Sequence, residues 1–250
     1  MAKRDKAYFA SDFHLGSPNY IESKQREKKI CNWLDSIAEN AKEIYLVGDI
    51  FDFWFEYKMV IPKGFERIKG KLAHFTDQGI KIHFFPGNHD LWTFGYLEKE
   101  LGLIVHYKPL VTKIEDKTFY ICHGDGLGNG GLKYKFLKSI FSSSICQWLF
   151  SKINPNLGIN LAHTWSRMSR KKGGQFNKEN LRKELINYSK KILQKQHIDY
   201  FIFGHIHEPI EIKLSPTSKY INLGDWIKHF TYFEFKNNLI MKKIVNNIKQ

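Results

Sequence analysis

The stretch IYLVGDIFDFW, residues 44–54, places a short apolar run, Ile44 to Val47, directly before a glycine and a carboxylate. Such a run, rich in β-branched and aromatic residues and closed by Gly48, has the pattern of a buried strand. The same arrangement recurs along the chain. Ala7 to Ala10, Ile80 to Phe85, Phe119 to Cys122 and Tyr200 to Phe203 lead into SDFH (11–14), GNHD (87–90), HGD (123–125) and GHIH (204–207). Between these runs lie helical candidates, Glu22 to Asn40, Phe65 to Gln78 and Asn177 to Gln196. The first carries Ile30, Trp33, Leu34 and Ile37 at helical spacing; the last carries Leu181, Leu185, Tyr188, Ile192 and Leu193. Both stripes are accounted for as core-facing surface. At the end, Thr231 to Phe235 and Leu239 to Val245 alternate around Asn237-Asn238, the pattern of a closing β-hairpin. The expectation is a layered α/β domain spanning residues 1–250, with its chemistry at the ends of strands.

Each polar group is weak alone, since a lone histidine is more often a core or surface residue than a ligand. Together they are specific, because five groups that each follow a strand are brought to one edge if the strands share a sheet. The candidate metal ligands are Asp12, His14, Asp49, Asn88, His123, His205 and His207. Three carboxylate or amide oxygens and four imidazoles, with no cysteine, suit Mn²⁺, Fe²⁺ or Zn²⁺ rather than Ca²⁺ or Mg²⁺. In GHIH, an extended backbone points His205 and His207 the same way, each toward its own metal. His89 follows Asn88 and faces the same cavity, where it is a candidate to stabilise a transition state or protonate a leaving oxygen. Asp90 is a candidate to orient that imidazole, and Asp52 to support the ligands. Turn chemistry or helix capping explains Asp52, Asp90 and Asp125 equally well.

The charge balance narrows the partners. The chain carries 39 Lys and Arg against 25 Asp and Glu, a formal net charge of +14. That excess favours anionic partners: nucleic acid, phosphorylated metabolites or an anionic membrane surface. Three cysteines, Cys31, Cys122 and Cys146, without a CxxC pair, argue against a disulfide framework and a structural zinc site. No signal-peptide pattern or membrane-spanning apolar stretch is present, so the chain reads as cytoplasmic with at most peripheral membrane contact.

After HGD the rhythm breaks. Gly126 to Gly131 form a glycine-rich turn, and Leu132 to Lys172 show no strand signal. Two basic amphipathic segments here, KYKFLKSIFSSSICQWLFSKI and LAHTWSRMSRKK, predict a helical insertion over residues 127–175. Its cationic residues favour a cap over the strand ends above plain packing helices. Arg167, Arg170, Lys171 and Lys172 are candidates to bind a diphosphate, with Lys133, Lys135 and Lys138 nearer the start. Phe141 and Trp148, with Phe136, Ile140, Ile145, Leu149 and Phe150, are candidates to line an apolar groove.

DFH, GDIFD, GNHD, HGD and GHIH, in this order from Ala7 to His207, resemble the five signature blocks of the calcineurin-like metallophosphoesterase superfamily. The resemblance implies an α/β (α+β) four-layer fold, two mixed β-sheets flanked by helices. It also implies that Asp12, His14 and His207 hold one metal, that Asn88, His123 and His205 hold the other, and that Asp49 bridges them. Such a pair of ions, Mn²⁺ above all, activates water for phosphoester hydrolysis. GDIFDFW, with Phe51, Phe53, Trp54 and Phe55, and the insertion after HGD resemble the UDP-2,3-diacylglucosamine pyrophosphatases of lipid A synthesis. There the insertion forms a lid over acyl chains, and the reaction yields UMP and 2,3-diacylglucosamine 1-phosphate. This implies a nucleotide-linked lipid substrate, a peripheral location on the cytoplasmic face of the inner membrane, and no nucleic-acid partner. The best-known members of that group carry arginine where this chain has His89. The alternatives are a metal-dependent nuclease, which needs a groove with stacking aromatics, and a scaffold that has lost its ligands, although all seven are present here.

Overall fold

The computed structural model describes residues 4–128, 132–173 and 178–244, with only the backbone described over parts of the insertion. A six-stranded sheet has the order β11-β10-β1-β2-β3-β4, where β1 is Lys6–Ala10, β2 Ala41–Val47, β3 Lys81–Phe85, β4 Ile104–Val105, β10 Thr231–Lys236 and β11 Asn238–Lys243. A five-stranded sheet has the order β5-β6-β7-β9-β8, where β5 is Leu110–Ile114, β6 Lys117–Ile121, β7 Tyr200–Phe203, β8 Pro209–Lys213 and β9 Lys219–Leu223. Both sheets are mixed: β1, β2, β3 and β4 run parallel, as do β6, β7 and β9, with antiparallel partners outside them.

Strand alternation builds the layers. In β1, Ala7 and Phe9 enter one core while Tyr8 and Ala10 enter another; in β2, Tyr45 and Val47 separate from Ile44 and Leu46 in the same way. Tyr200 and Ile202 of β7 join Phe9, Tyr45, Phe119 and Phe235 between the sheets. Phe201 and Phe203 face the opposite side, with Leu185 of α7 (Lys178–Leu193). On the far side of the first sheet lie α1 (Tyr20–Ile37), α2 (Glu66–Asp77) and α3 (Tyr96–Leu101). Their Ile30, Trp33, Leu72 and Leu97 share a core with Tyr8 and Ile44. Period-two alternation between two cores leaves no polar face, which is why the inner strands are apolar throughout. The result is the expected four layers, helix–sheet–sheet–helix.

The helix ends have local causes. Asn19 caps α1 by accepting from Glu22 N at 3.0 Å, and its own amide donates to Glu22 Oε1 at 2.7 Å. This reciprocal box starts the helix at Tyr20 rather than at the expected Glu22. Helix α2 has no side-chain cap of its own. Buried Glu27 of α1 accepts instead from Arg67 N and Ile68 N, at 3.0 and 3.3 Å, and so ties the two helices together. The closing hairpin is present as β10 and β11; Val245 and Asn177, two of the expected boundary residues, lie outside the described residues. The insertion is helical, as α4 (Leu132–Phe141), α5 (Ser144–Ser151) and α6 (Pro155–Gly173).

One expectation changes. The five motif-bearing strands do not share a sheet: β1, β2 and β3 belong to the first and β6 and β7 to the second. The C-terminal ends of the two parallel sets meet, because His205 N donates to Asp12 Oδ2 at 3.1 Å and His123 Nδ1 to Val47 O at 2.9 Å. Behind this junction Phe13 and Trp226 pack on Trp33, with ring centroids 6.3 and 5.0 Å from it. Trp33→Ala should therefore cost about 3–5 kcal/mol, read as a lower urea midpoint at unchanged slope.

Candidate metal centre

The site is built from backbone that leaves regular geometry. Asp12, His14, Asp49, His205 and His207 all have positive φ, at 56, 45, 54, 71 and 60°. Side chains other than glycine rarely adopt this region, and it costs on the order of 1 kcal/mol per residue. GHIH is therefore not the extended segment that the sequence suggested. Two successive left-handed turns send His205 and His207 to different clusters.

Specific bonds hold these turns. Asp90, fully buried, accepts from the backbone N–H of Asp49 (3.2 Å), Ile50 (2.7 Å), Phe51 (3.2 Å) and Gly87 (2.7 Å). Its carboxylate thus organises the Asp49 loop rather than the His89 ring. Burial and the neighbouring Asp49 charge push its pKa up to about 7. His89 N donates to Asp49 Oδ1 at 2.9 Å, while its Nδ1 lies 3.0 Å from Asp52 O and 3.3 Å from Ser166 Oγ. Arg26, buried in α1, donates from Nη2 to His14 O at 2.8 Å and also to Ser17 O. Small residues admit the ligands. A Cβ at Gly87 would stand 2.2 Å from Asp49 Oδ1, and one at Gly204 would stand 2.6 Å from Asp12 Oδ2.

Six of the seven predicted ligands converge in two clusters. Asp12, His14, Asp49 and His207 form the first, and Asp49, His123 and His205 the second; within each, the potential ligand atoms all lie within 4.8 Å of one another. Asp49 is common to both. His14 Nε2 is 3.3 Å from His207 Nε2 and 3.6 Å from Asp49 Oδ2; His207 Nε2 is 3.3 Å from Asp12 Oδ1. His123 Nε2 is 3.3 Å from Asp49 Oδ2. Metal–ligand bonds of about 2.0–2.2 Å put neighbouring ligand atoms roughly 3–3.5 Å apart, so these spacings fit a cation inside each cluster. His123 Nε2 also lacks a hydrogen-bond partner among the described residues although it is buried, as a nitrogen aimed at a metal would be. Asn88 is exposed on the turn between Gly87, whose N–H donates to Asp90, and His89, whose N–H donates to Asp49 Oδ1.

The electrostatics agree with a cation site. Burial opposes charge on His14 and His123, yet the Asp12, Asp52 and Asp49 carboxylates beside them raise both imidazoles to about 10. Burial likewise pushes Asp12 and Asp49 up, and the surrounding imidazoles, His207 for Asp12 and His123 for Asp49, outweigh it and bring both carboxyls down. His205, half-buried beside His123, is instead lowered to about 4 and so is neutral, as a ligand must be.

Supporting residues fix the ring orientations. His14 Nδ1 lies 3.3 Å from Asp52 Oδ1, which leaves Nε2 for the cluster. His123 Nδ1 donates to Val47 O at 2.9 Å. His207 Nδ1 lies 3.5 Å from Asp225 Oδ2, whose other oxygen accepts from Ile227, Lys228 and His229 N–H. Asp225 was not anticipated. The signal was available, since Gly224-Asp225 follows β9 as Gly48-Asp49 follows β2.

The insertion reaches this centre. Ser166 Oγ donates to Asp52 Oδ2 at 3.0 Å, and Lys138 Nζ pairs with Asp125 Oδ2 at 2.6 Å. Phe141 packs edge-on against Trp92 and its carbonyl accepts from Trp92 Nε1 at 2.7 Å; Phe150 packs at a tilt among Phe53, Phe55 and Trp92. Trp148 faces outward, 59% exposed, with Phe136, Ile145, Leu149 and Leu157 also exposed. Arg167, Arg170, Lys171 and Lys172 fall on α6, and their side chains, with those of Lys133 and Lys135, lie outside the described residues.

Paired acidic and imidazole clusters at the joined ends of two sheets define a metal-dependent hydrolase. The chain belongs to the calcineurin-like phosphoesterase family, whose sequence model matches residues 6–209. It is 35% identical over 246 residues to a UDP-2,3-diacylglucosamine hydrolase of Porphyromonas gingivalis, covering 92% of this chain and 93% of that one. Relatives of the same name from Actinobacillus succinogenes and Wigglesworthia glossinidia brevipalpis are 24% and 28% identical. They cover 88% and 94% of this chain and 92% of each relative.

Two outcomes follow from this geometry. Gly87→Ala should abolish metal retention, read by elemental analysis, and lower the urea midpoint, because the added Cβ would stand 2.2 Å from Asp49 Oδ1 and 2.6 Å from Asp49 N. Mn²⁺ must also displace the protons that His14 and His123 hold below about pH 10. In the metal-free protein those raised values give a stabilising contribution that is complete below the ordinary value of about 6.5 and lost as pH rises through 10. Apparent Mn²⁺ affinity should therefore rise with pH from 7 to 9. Calorimetry in buffers of different ionisation enthalpy should show about two protons released per protein.

Proposed function

We propose that the protein hydrolyses UDP-2,3-diacylglucosamine, with water attacking the α-phosphorus and the bond to the β-phosphate breaking, to give UMP and 2,3-diacylglucosamine 1-phosphate. The observation that carries this reading is the 35% identity, over 92% of the chain, to the Porphyromonas gingivalis hydrolase of that substrate. Asp12, His14 and His207 would hold one divalent ion, Asn88, His123 and His205 would hold the other, and Asp49 would be shared. Two such ions supply acidified water and a clamp on the phosphoryl oxygens, and the oxygen–imidazole donor set favours Mn²⁺, with Fe²⁺ or Zn²⁺ as substitutes.

The chain's own groups do the rest. With Nδ1 donating to Asp52 O, His89 donates from Nε2 to the phosphoryl oxygens in its imidazolium form, which the negative charge developing there favours. Asp90 keeps the Asp49 loop in its left-handed turn. Residues 127–175 act as a cap: Phe141 and Trp148 meet the acyl chains, while Arg167, Arg170, Lys171 and Lys172 neutralise the diphosphate. The apolar outer face of α4 to α6 suits a protein resting on an anionic leaflet, here the cytoplasmic face of the inner membrane. Among the described residues no helix is long and apolar enough to cross a membrane.

The test is Mn²⁺-dependent UMP release from UDP-2,3-diacylglucosamine, run beside an aryl phosphodiester and single-stranded DNA. Release from the lipid far faster than cleavage of DNA is expected. DNA cleavage without UMP release would replace this reading with a nuclease. His89→Ala should lower kcat about 100-fold with both metals retained.

A further inference from the structure

Ser166 differs from its surroundings on the insertion. Helix α6 exposes Leu157, Leu161 and Met168, yet Ser166, two residues before Met168, is 5% exposed. Its hydroxyl donates to Asp52 Oδ2 at 3.0 Å and sits 3.3 Å from His89 Nδ1. The other oxygen of Asp52, Oδ1, lies 3.3 Å from His14 Nδ1 and 3.8 Å from His89 Nδ1. One carboxylate therefore stands between two imidazoles with different duties.

The torsion that swings a carboxylate is broad and nearly two-fold, so burial alone does not determine which imidazole Asp52 serves. A hydroxyl donated to Oδ2 does determine it, by holding Oδ1 against His14. Without that donor, Asp52 can turn toward His89, and His14 Nε2 loses its aim at the cluster. We propose that Ser166 is a positioning residue through which the seating of α6 sets the orientation of Asp52, and with it of His14 and His89. The insertion thereby does more than cover the site: its displacement withdraws one of the contacts that align the catalytic groups. On the opposite flank, Lys138 of α4 grips Asp125 Oδ2 at 2.6 Å and its carbonyl at 3.1 Å, so the insertion is fastened on both sides of the centre. The inference rests on the phosphoester-hydrolysing centre and not on the lipid substrate.

The test uses the full chain loaded with Mn²⁺ and bis(p-nitrophenyl) phosphate, a diester that needs no acyl pocket. Ser166→Ala, a change that favours the helix, should lower kcat about tenfold at little-changed KM and unchanged metal content. Ser166→Thr, which keeps the hydroxyl, should restore most of it. In the metal-free protein, the ring ¹⁵N resonances of His14 and His89 should move in Ser166→Ala and return in Ser166→Thr. Wild-type kcat in Ser166→Ala, or a loss that threonine does not restore, overturns the proposal. UMP release by the wild-type chain tests the lipid reading separately, so either idea can fail without the other.

Discussion

Everything in this molecule is arranged around the burial of Asp49. Its carboxylate is 1% exposed at the junction of two sheets, where an uncompensated charge is heavily penalised. Asp12 and Asp52, 0% and 2% exposed, add charge to the same small volume. Such a group of carboxylates is tolerable only with cations among them. In the metal-free chain that role falls to protons on His14 and His123, and divalent ions meet the same need more completely. The two parallel strand sets, the glycines without side chains beneath Asp12 and Asp49, and the left-handed turns all bring these charges close enough to share a cation.

The fold meets the cost of those turns with backbone hydrogen bonds. Asp90 collects four N–H groups around Asp49, Arg26 holds the His14 carbonyl, and Asp225 closes the turn beside His207. Each is a buried charge used to organise backbone, which links the stability of the loops to the precision of the site. Trp33, Phe13 and Trp226 supply the packing beneath them.

The inner strands were legible because burial on both faces makes them continuously apolar. The edges were not. Strand β5 alternates exposed and half-buried residues, β8 begins at Pro209, and β4 has only two residues, so none shows a strong period. The six candidate residues that the structure brings together were legible as short motifs after strands. That the strands divide between two sheets was not, since sequence order carries no record of which strand pairs with which. The left-handed conformations of His205 and His207 escaped for a related reason: such backbone is uncommon even for histidine, and the tertiary bonds impose it. Ser166 gave no signal because a serine within a basic helix is ordinarily solvated. The aromatic run after Asp49 is packing: Phe51, Trp54 and Phe55 are buried, and Phe53 and Phe55 meet Phe150 of α5.

The insertion shows how one scaffold combines a charged centre with an apolar exterior. Its inner residues, Phe141, Phe150 and Ser166, engage the centre and its loops, while its outer residues are apolar over a surface that packing does not need. A net charge of +14 on the whole chain complements an anionic substrate and an anionic surface alike.

The most direct test of the central claim is anomalous diffraction from crystals soaked in Mn²⁺. Two peaks about 3.5–4 Å apart are expected on either side of Asp49, one within Asp12, His14 and His207 and the other within His123 and His205. A single peak, or peaks that leave Asp49 without a metal, would contradict it.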